Sequence, residues 1–308
     1  MRIAVLGAGG VGGYFGGRLA ASGADVSFIA RGAHLDALKT RGLRIESPKG
    51  DLHLPRVTAT GDPAAIGPVD VVFFTVKLYD TESAIAMLPP LLGERTVVIP
   101  FQNGVDSVET LAKACGRPRV AGGTAYITAV IAEPGVIRHT AMDGLVFGEL
   151  DGSRSSRLEK LLAACQPAGF KANISDQIMI DIWSKFVRLT VFSGMTAVTR
   201  GPIGPIKDDP DLVVMAQAAG METMAVAHAC GIDVPAAVVG EIAKMVQSLP
   251  PASKSSMLED LERGRPLELP WLSGAVVRIG RERGVDTPIH RFIAAVLQPH
   301  AAGHLPPR

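Results

Sequence analysis

Two groups of residues in this sequence have the types and spacing that chemistry needs. One is the glycine run GAGGVG at residues 7–12, which fits the pattern GxGxxG and directly follows the apolar segment RIAVL. The other is Lys185, which shares one side of a helical pattern with Ile178, Ile182 and Leu189. Backbone amides of such a turn can bind a phosphate, and an ammonium among apolar side chains can stabilise a developing negative charge.

The glycine run lies where a dinucleotide-binding loop is expected, between a strand and a helix. There Gly7 permits a tight turn, Gly9 lets the backbone approach a pyrophosphate, and Gly12 lets helix and strand pack closely. The alternative is a glycine-rich turn that binds no ligand. Because motif, flanking elements and position agree, we predict dinucleotide binding. The loop residues expected to contact the cofactor are Gly7, Ala8, Gly9, Gly10, Val11 and Gly12.

The second strand-like segment, DVSFIAR, indicates which dinucleotide binds. NAD sites usually end this strand with an acid that bonds the ribose hydroxyls, but no acid occurs from residue 26 to residue 34. The segment ends at Arg31, whose planar guanidinium suits the 2′-phosphate of NADP. The alternative is a solvated arginine at the end of a strand. We predict NADP as the cofactor.

Lys185 has two interpretations from the residues alone. Asp181 precedes it by four positions, so the two side chains could form an ordinary helix ion pair worth a few tenths of a kcal/mol. Alternatively, the ammonium serves a reaction. Hydride addition to a carbonyl leaves negative charge on the oxygen, which a nearby ammonium stabilises and then protonates.

The elements that must position these residues follow from hydrophobic periodicity. Short β-branched segments alternate with helical patterns through the first half, which is typical of a parallel sheet covered by helices. From residue 177 onward only helical patterns follow one another. We predict an α/β fold, with an NADP-binding Rossmann-type domain at 1–172 and a mostly α-helical substrate and catalytic domain at 173–308. Locally, we expect a helix over 81–92 and a hairpin turn at 142–144.

Composition argues against several other classes of protein. A formal charge of +1 gives no basic face for nucleic acid. Cys115, Cys165 and Cys230 lack the spacing of a zinc site, so we expect reduced thiols and no metal. No uncharged run was found that reaches the roughly 20 apolar residues of a membrane helix, and the first residues are too glycine-rich for a signal peptide. We expect a cytoplasmic protein with a small-molecule partner, no nucleic acid and no membrane.

Several blocks, in this order along nearly the whole chain, resemble the ketopantoate reductase family (2-dehydropantoate 2-reductases), which are NADPH enzymes that reduce a 2-oxo acid to a 2-hydroxy acid. The blocks are GAGGVG at 7–12, Arg31, Lys77, QNGV at 102–105, PGVIRH at 134–139, IWSKF at 182–186 and SSMLEDLERGRPLE at 255–268. The last block is the most specific. The resemblance implies pantothenate biosynthesis as the pathway.

The resemblance also implies roles for the matched residues. Lys185 would be the proton donor, and Asn103 would contact both cofactor and substrate. Ser256 would hold the acid group of the substrate, while Glu268 would contact the cofactor ribose and align the lysine. Lys77, where a sheet strand ends, would contact the cofactor.

Three of these residues also have plainer explanations. Asn103 precedes Gly104, and this pair is common in ordinary turns. Glu268 could complement the dipole at the start of a helix. Ser256 could cap a helix or face solvent.

The chain departs from the family at two positions that would line the substrate. Members usually carry asparagine one turn after the catalytic lysine and again about one turn further, where this chain has Leu189 and Ser193. Losing a buried amide removes hydrogen bonds worth about 1 kcal/mol each and leaves an apolar wall. We expect both residues to line the substrate and to favour a more apolar 2-oxo acid.

We therefore predict an NADPH-dependent 2-oxo acid reductase of the 2-dehydropantoate 2-reductase type, able to form a homodimer. One alternative is a non-enzymatic NADP-binding sensor of the same fold. Another is a dehydrogenase of the 6-phosphogluconate or 3-hydroxyacid type, although the SSMLED segment has no counterpart that we can place there.

Overall fold

The computed structural model describes residues 1–303, which form two compact units. The first contains Met1–Gln102 and Asp106–Ile178. The second contains Asn103–Val105 and the chain from Met179 onward. The assignment of cofactor binding to residues 1–172, and of substrate binding and catalysis to residues 173–308, stays a prediction.

The first unit alternates strands and helices, as the sequence predicts. Its strands are β1 (Arg2–Leu6), β2 (Asp25–Ile29), β3 (Leu43–Glu46), β4 (Leu52–Leu54), β5 (Thr58–Thr60), β6 (Val69–Phe74), β7 (Leu92–Pro100), β8 (Gly122–Glu133), β9 (Val136–Gly148) and β10 (Lys171–Ile174). Its helices are α1 (Gly10–Ala21), α2 (Gly32–Arg41), α3 (Thr81–Ile85), α4 (Ser107–Cys115) and α5 (Ser156–Cys165).

A parallel sheet in the order β5-β2-β1-β6-β7 forms the centre of this unit. Its strands are rich in Val, Ile and Phe, and the side chains of β1 and β6 other than Arg2 and Asp70 are buried, as expected for a sheet covered on both faces. The chain places β2 and then β5 on one side of β1, and afterwards β6 and β7 on the other side. The strand order therefore reverses at β1. Ligands of open parallel sheets bind at the carboxyl ends of the strands at such a reversal. The predicted Rossmann-type fold is confirmed.

A second sheet has the order β10-β9-β3-β4, with β8 paired to β9. The hairpin turn predicted at 142–144 is wrong, because β9 runs continuously through these residues. β8 pairs antiparallel with β9 on both sides of Met142, since Ile127 lies opposite Asp143 and Thr128 lies opposite Ala141. Met142 itself has no partner in β8, and its φ is 56°. Met142 is therefore the extra residue of a β-bulge, and the turn lies instead between β8 and β9, at Pro134 and Gly135.

The helix predicted over 81–92 is also partly wrong. α3 ends at Ile85, and Pro89–Leu91 forms a 3₁₀ turn. Two consecutive prolines, Pro89 and Pro90, remove backbone donors that a longer α-helix would need.

The second unit is helical, and between residues 179 and 303 the structure has no strand. Its helices are α6 (Ile178–Thr199), α7 (Ile203–Asp208), α8 (Pro210–Ala229), α9 (Ala237–Gly240), α10 (Ile242–Ser248), α11 (Ser256–Glu262), α12 (Ser273–Arg283) and α13 (Pro288–Leu297). α6 is the longest and contributes Ile182, Phe186, Val187, Val191 and Met195 to the core. The mostly α-helical C-terminal region is confirmed.

One helix, α8, is long and apolar enough to cross a membrane by length and composition alone. Core helices of soluble proteins meet the same criterion. α8 packs against α7, α10, α12 and α13, and Glu222 on it accepts hydrogen bonds from the backbone of Ile289 and His290. The absence of a membrane partner stays a prediction.

Candidate functional site

The glycine turn after β1 is fixed by backbone contacts. Gly7 has φ 104°, and a Cβ on it would lie 2.7 Å from the nitrogen of Val76, so only glycine fits. The Thr75 hydroxyl donates to the carbonyl of Gly7 at 2.8 Å. The amides of Gly7 and Ala8 both donate to the carbonyl of Ile29, at 3.1 and 3.3 Å. These contacts give the turn a defined shape.

Within the turn, the glycines differ in what surrounds them. A Cβ on Gly12 would lie 2.3 Å from the carbonyl oxygen of Gly7, and one on Gly10 would lie 2.1 Å from that of Ala129 in β8. A Cβ on Gly9 would meet no atom within 4 Å. Gly9 precedes α1 as its N-cap and borders open space, as close approach of a pyrophosphate requires. Ala8 is buried and Val11 is half-buried.

Arg31 and Lys77 lie beyond the carboxyl ends of β2 and β6, the two strands that flank β1. Arg31 is the N-cap of α2, its side chain is 79% exposed, and its Nη2 lies 2.7 Å from Asp80 Oδ2. Lys77 is exposed and precedes the 3₁₀ turn that carries Asp80. The structure thus places both cations at the same edge of the sheet as the glycine turn.

Lys185 belongs to a hydrogen-bonded series of three side chains in the second unit. Its Nζ donates to Asn103 Oδ1 at 3.1 Å, and Asn103 Nδ2 donates to Glu268 Oε2 at 3.3 Å. Lys185 and Asn103 are half-buried, and Glu268 is only 6% exposed. The amide therefore connects a cation with a buried carboxylate, and its orientation follows from these two partners.

The environment of Lys185 changes the acidity of its ammonium. Burial lowers the pKa of Lys185 to about 8, and the negative charge of Glu268 acts in the opposite direction. The group is thus protonated at neutral pH but gives up its proton more readily than an ordinary lysine. A lysine with these properties is suited to act as a general acid.

Leu189 and Ser193 follow Lys185 along α6. Leu189 is half-buried, and Ser193 is 1% exposed. The Ser193 hydroxyl donates to the carbonyl of Leu189 at 2.6 Å, so this polar group is already satisfied within the helix. That Leu189 and Ser193 line the substrate stays a prediction.

Ser256 is the first residue of α11 and is exposed. The capping role considered for it belongs to Ser255, which accepts a hydrogen bond from the amide of Leu258 at 3.1 Å. Ser255 also forms a hydrogen bond with Thr196 Oγ1 at 2.7 Å. Because Thr196 lies on α6, the start of α11 is attached to the helix that carries Lys185.

Sequence reasoning missed two residues near these sites. Gln102 donates to the carbonyl of Val76 and to the Thr81 hydroxyl, at 2.9 and 3.0 Å, and accepts from the Ser107 hydroxyl at 2.8 Å. It fixes the chain directly before Asn103. The other residue, His34, bonds the carbonyl of Ala8. Only its position in the QNGV block could have singled out Gln102.

Neither a metal site nor a disulfide is present in the part of the chain that the structure describes. No group of three or more His, Cys, Asp or Glu side chains is placed to hold an ion, and the three cysteines are free. Burial raises the pKa of the Cys165 thiol to about 12, so this residue is an unreactive core thiol.

The whole chain is similar to proteins of one family. Residues 3–152 match the family model described as ketopantoate reductase PanE/ApbA, and residues 177–301 match its C-terminal model. An uncharacterized oxidoreductase, YkpB of Bacillus subtilis, is 33% identical, and the alignment covers 98% of this chain and 99% of that protein. A 2-dehydropantoate 2-reductase of Archaeoglobus fulgidus is 34% identical over 95% of each chain.

A solved structure leads to the same result. The crystal structure of 2-dehydropantoate 2-reductase from Geobacter metallireducens superposes with a TM-score of 0.91 at 30% identity, covering 97% of this chain and 99% of that chain. With the family models matching both halves of the sequence, the chain belongs to the ketopantoate reductase family and is an oxidoreductase of the 2-dehydropantoate 2-reductase type.

Proposed function

We propose that this protein reduces a 2-oxo acid to a 2-hydroxy acid with NADPH, and that Lys185 gives a proton to the carbonyl oxygen of the substrate. The observation that carries the proposal is the series Lys185, Asn103 and Glu268, in which a buried carboxylate and an amide hold an ammonium with a pKa of about 8.

The chemistry needs a charge and a proton at one place. When bound, the nicotinamide supplies a hydride to the carbonyl carbon. The ammonium of Lys185 stabilises the negative charge that grows on the carbonyl oxygen and then protonates it. Glu268 keeps the lysine mostly protonated at neutral pH, since its charge opposes the effect of burial. Ser256 would bond the acid group of the substrate, and its exposure leaves its hydroxyl accessible.

The cofactor preference rests on Arg31. Its guanidinium follows β2, where the ribose of the adenosine is expected, and it suits a 2′-phosphate. The residues of the glycine turn fit the pyrophosphate, because Gly9 borders open space at the start of α1. Lys77 is a second cation at the same edge of the sheet.

This preference can be measured by titrating the purified protein with NADPH and with NADH. We expect Arg31→Ala to weaken NADPH binding about tenfold, as the loss of a charge-assisted hydrogen bond of about 1.5 kcal/mol would, and to leave NADH binding unchanged. Arg56→Ala, a change at an exposed arginine elsewhere in the first unit, is the control. Equal dissociation constants of the wild type for the two cofactors would reject the preference for NADPH.

The substrate is a 2-oxo acid, and we propose that it is more apolar than ketopantoate. Leu189 offers no amide, and the hydroxyl of Ser193 already bonds the helix backbone. The experiment is NADPH oxidation with a panel of 2-oxo acids that includes ketopantoate and acids with larger apolar side chains. If none is reduced while NADPH still binds, the protein is a dinucleotide sensor of the same fold and not a reductase.

We also propose a cytoplasmic location, a role in pantothenate biosynthesis if ketopantoate is among the substrates, and a homodimer. Exposed apolar side chains on α8 and α13, among them Met221 and Phe292, support association through the helical unit. Sedimentation equilibrium measures the oligomeric state directly.

A further inference from the structure

A histidine connects three segments around the glycine turn. His34 lies in the first turn of α2, three residues after Arg31, and is half-buried. Its Nε2 lies 2.8 Å from the carbonyl oxygen of Ala8. The amide of Gly135, in the turn between β8 and β9, donates to its Nδ1 at 3.1 Å. One imidazole thus bonds the glycine turn, the start of α2 and the β8–β9 turn to each other.

These partners define the proton position on the ring. A backbone amide can only donate, so Nδ1 must be an acceptor and carries no hydrogen. Nε2 then carries the hydrogen of the neutral ring and donates it to the carbonyl of Ala8. Burial lowers the pKa of His34, with the bond to Ala8 acting in the opposite direction, so the neutral form is favoured at pH 7.

The bond to Ala8 determines the direction of the next amide. In a trans peptide the carbonyl and the following N–H point to opposite sides of the bond. Because the carbonyl of Ala8 points at His34, the N–H of Gly9 points away from it. Within residues 1–303, no hydrogen bond uses this N–H as a donor. Gly9 is also the position in the turn that borders open space.

Other contacts hold the rest of the turn, so the Ala8–Gly9 peptide depends on His34. The Gly7 carbonyl accepts from Thr75, the amide of Ala8 donates to Ile29, and the Gly9 carbonyl accepts from the amide of Gly13 at 2.7 Å. Only His34 bonds the carbonyl of Ala8 within the described chain.

We propose that His34 is a positioning residue for the dinucleotide: by holding the carbonyl of Ala8, it directs the amide of Gly9 toward the pyrophosphate. His34 does not itself contact the cofactor. The inference rests on the proposed binding of NADPH. It means that a side chain outside the GxGxxG motif contributes to the affinity of that motif for NADPH.

Two substitutions separate the two bonds of the ring. His34→Gln places an amide nitrogen near the position of Nε2 and keeps a donor for Ala8. His34→Asn places its oxygen near the position of Nδ1, keeps an acceptor for Gly135 and loses the bond to Ala8. The readouts are the dissociation constant of NADPH from fluorescence titration, kcat at saturating cofactor, and the melting temperature.

We expect His34→Asn to raise the NADPH dissociation constant about fivefold, the effect of one hydrogen bond, with kcat at saturating NADPH unchanged. His34→Gln should bind NADPH within about twofold of the wild type. Equal affinity of His34→Asn and the wild type would overturn the inference. A loss of affinity in His34→Gln at an unchanged melting temperature would also overturn it, and this variant remains informative if His34→Asn does not fold.

The wild-type titration separates this inference from the proposed function. If the wild type binds no NADPH, the proposed function and the role of His34 both fail. If the wild type binds NADPH and both variants bind equally well, the role of His34 fails and the proposed function stands.

Discussion

The glycine turn of the first unit and the Lys185 series of the second unit are built from different parts of the chain. The turn is made of contiguous residues, and the groups proposed to bind the cofactor are backbone amides whose positions depend on close packing around Gly7 and Gly12. The series consists of three side chains, Asn103, Lys185 and Glu268, which are far apart in the sequence. Substitutions in the turn should therefore change cofactor affinity or stability, whereas substitution of Lys185 in the series should change turnover.

The largest expected effect tests this separation directly. Lys185→Ala removes the proposed proton donor, and general-acid catalysis contributes about 10²–10⁴-fold, so we expect kcat to fall by that factor. The dissociation constant of NADPH should stay within about twofold, since the turn is untouched. Steady-state kinetics and fluorescence titration measure the two quantities.

Lys244→Ala is the matched control for this variant, because Lys244 is exposed on α10. It should leave both quantities at the wild-type values. Full turnover by Lys185→Ala would show that another group protonates the substrate, and the proposed mechanism would fail.

Within the turn, two glycines are expected to respond differently. An alanine methyl at Gly9 enters open space beside the N-terminus of α1, so Gly9→Ala should weaken NADPH binding by about tenfold or more and leave the melting temperature unchanged. Gly12→Ala puts the methyl against the carbonyl of Gly7 and should lower the free energy of unfolding by about 1–3 kcal/mol. Titration and urea denaturation distinguish them. A large loss of stability in Gly9→Ala would contradict the open site.

The pH dependence of turnover tests whether the charge of Glu268 raises the pKa of Lys185. If reduction needs protonated Lys185 as proposed, its rate should fall as the pH rises through the pKa of about 8. Glu268→Gln removes the charge that raises this pKa, and the fall should move to lower pH.

Rate profiles of kcat/KM against pH for the wild type and Glu268→Gln provide the measurement. Glu262→Gln, a change at an exposed carboxylate that pairs with Lys254, should leave the profile unchanged. An identical profile for Glu268→Gln would mean that Lys185 is not the group that titrates.

The smallest expected effect concerns the substrate. Leu189→Asn restores the amide that members of the family usually carry, and it should raise kcat/KM for ketopantoate relative to an apolar 2-oxo acid about fivefold. Leu189→Met is the control, since it keeps an apolar side chain of similar volume. If Leu189→Asn leaves the ratio unchanged, residue 189 does not line the substrate.

Sequence reasoning succeeded where the signal is local. The position of the glycine run between a strand and a helix, the alternation of strands and helices, and the helical second half follow from neighbouring residues, and the structure confirms them. It failed at Met142, because Met-Asp-Gly has the composition of a turn while the long partner strand β8 makes it a bulge. No pattern in sequence shows which strand will pair along such a segment.

The candidate site was less accessible to sequence reasoning than the fold. The apolar neighbours of Lys185 indicated burial, but the residues alone pointed to Asp181, and Glu268 entered only through the family resemblance before the coordinates placed its charge near Lys185. Ser255 and Ser256 cannot be told apart by pattern, and the structure gives the cap to Ser255. His34 escaped notice because its partners are backbone groups from two distant turns.

The ion pair between Arg31 and Asp80 gives the proposed 2′-phosphate site an anion of its own. If NADPH binds there as proposed, its 2′-phosphate would compete with the Asp80 carboxylate for the guanidinium, whereas NADH would leave the pair intact. The proposed preference for NADPH would then be the difference in free energy between the guanidinium–phosphate and the guanidinium–carboxylate contacts. Since exposed ion pairs contribute about 0–1 kcal/mol, the Asp80 carboxylate would be a weak competitor for a doubly charged phosphate.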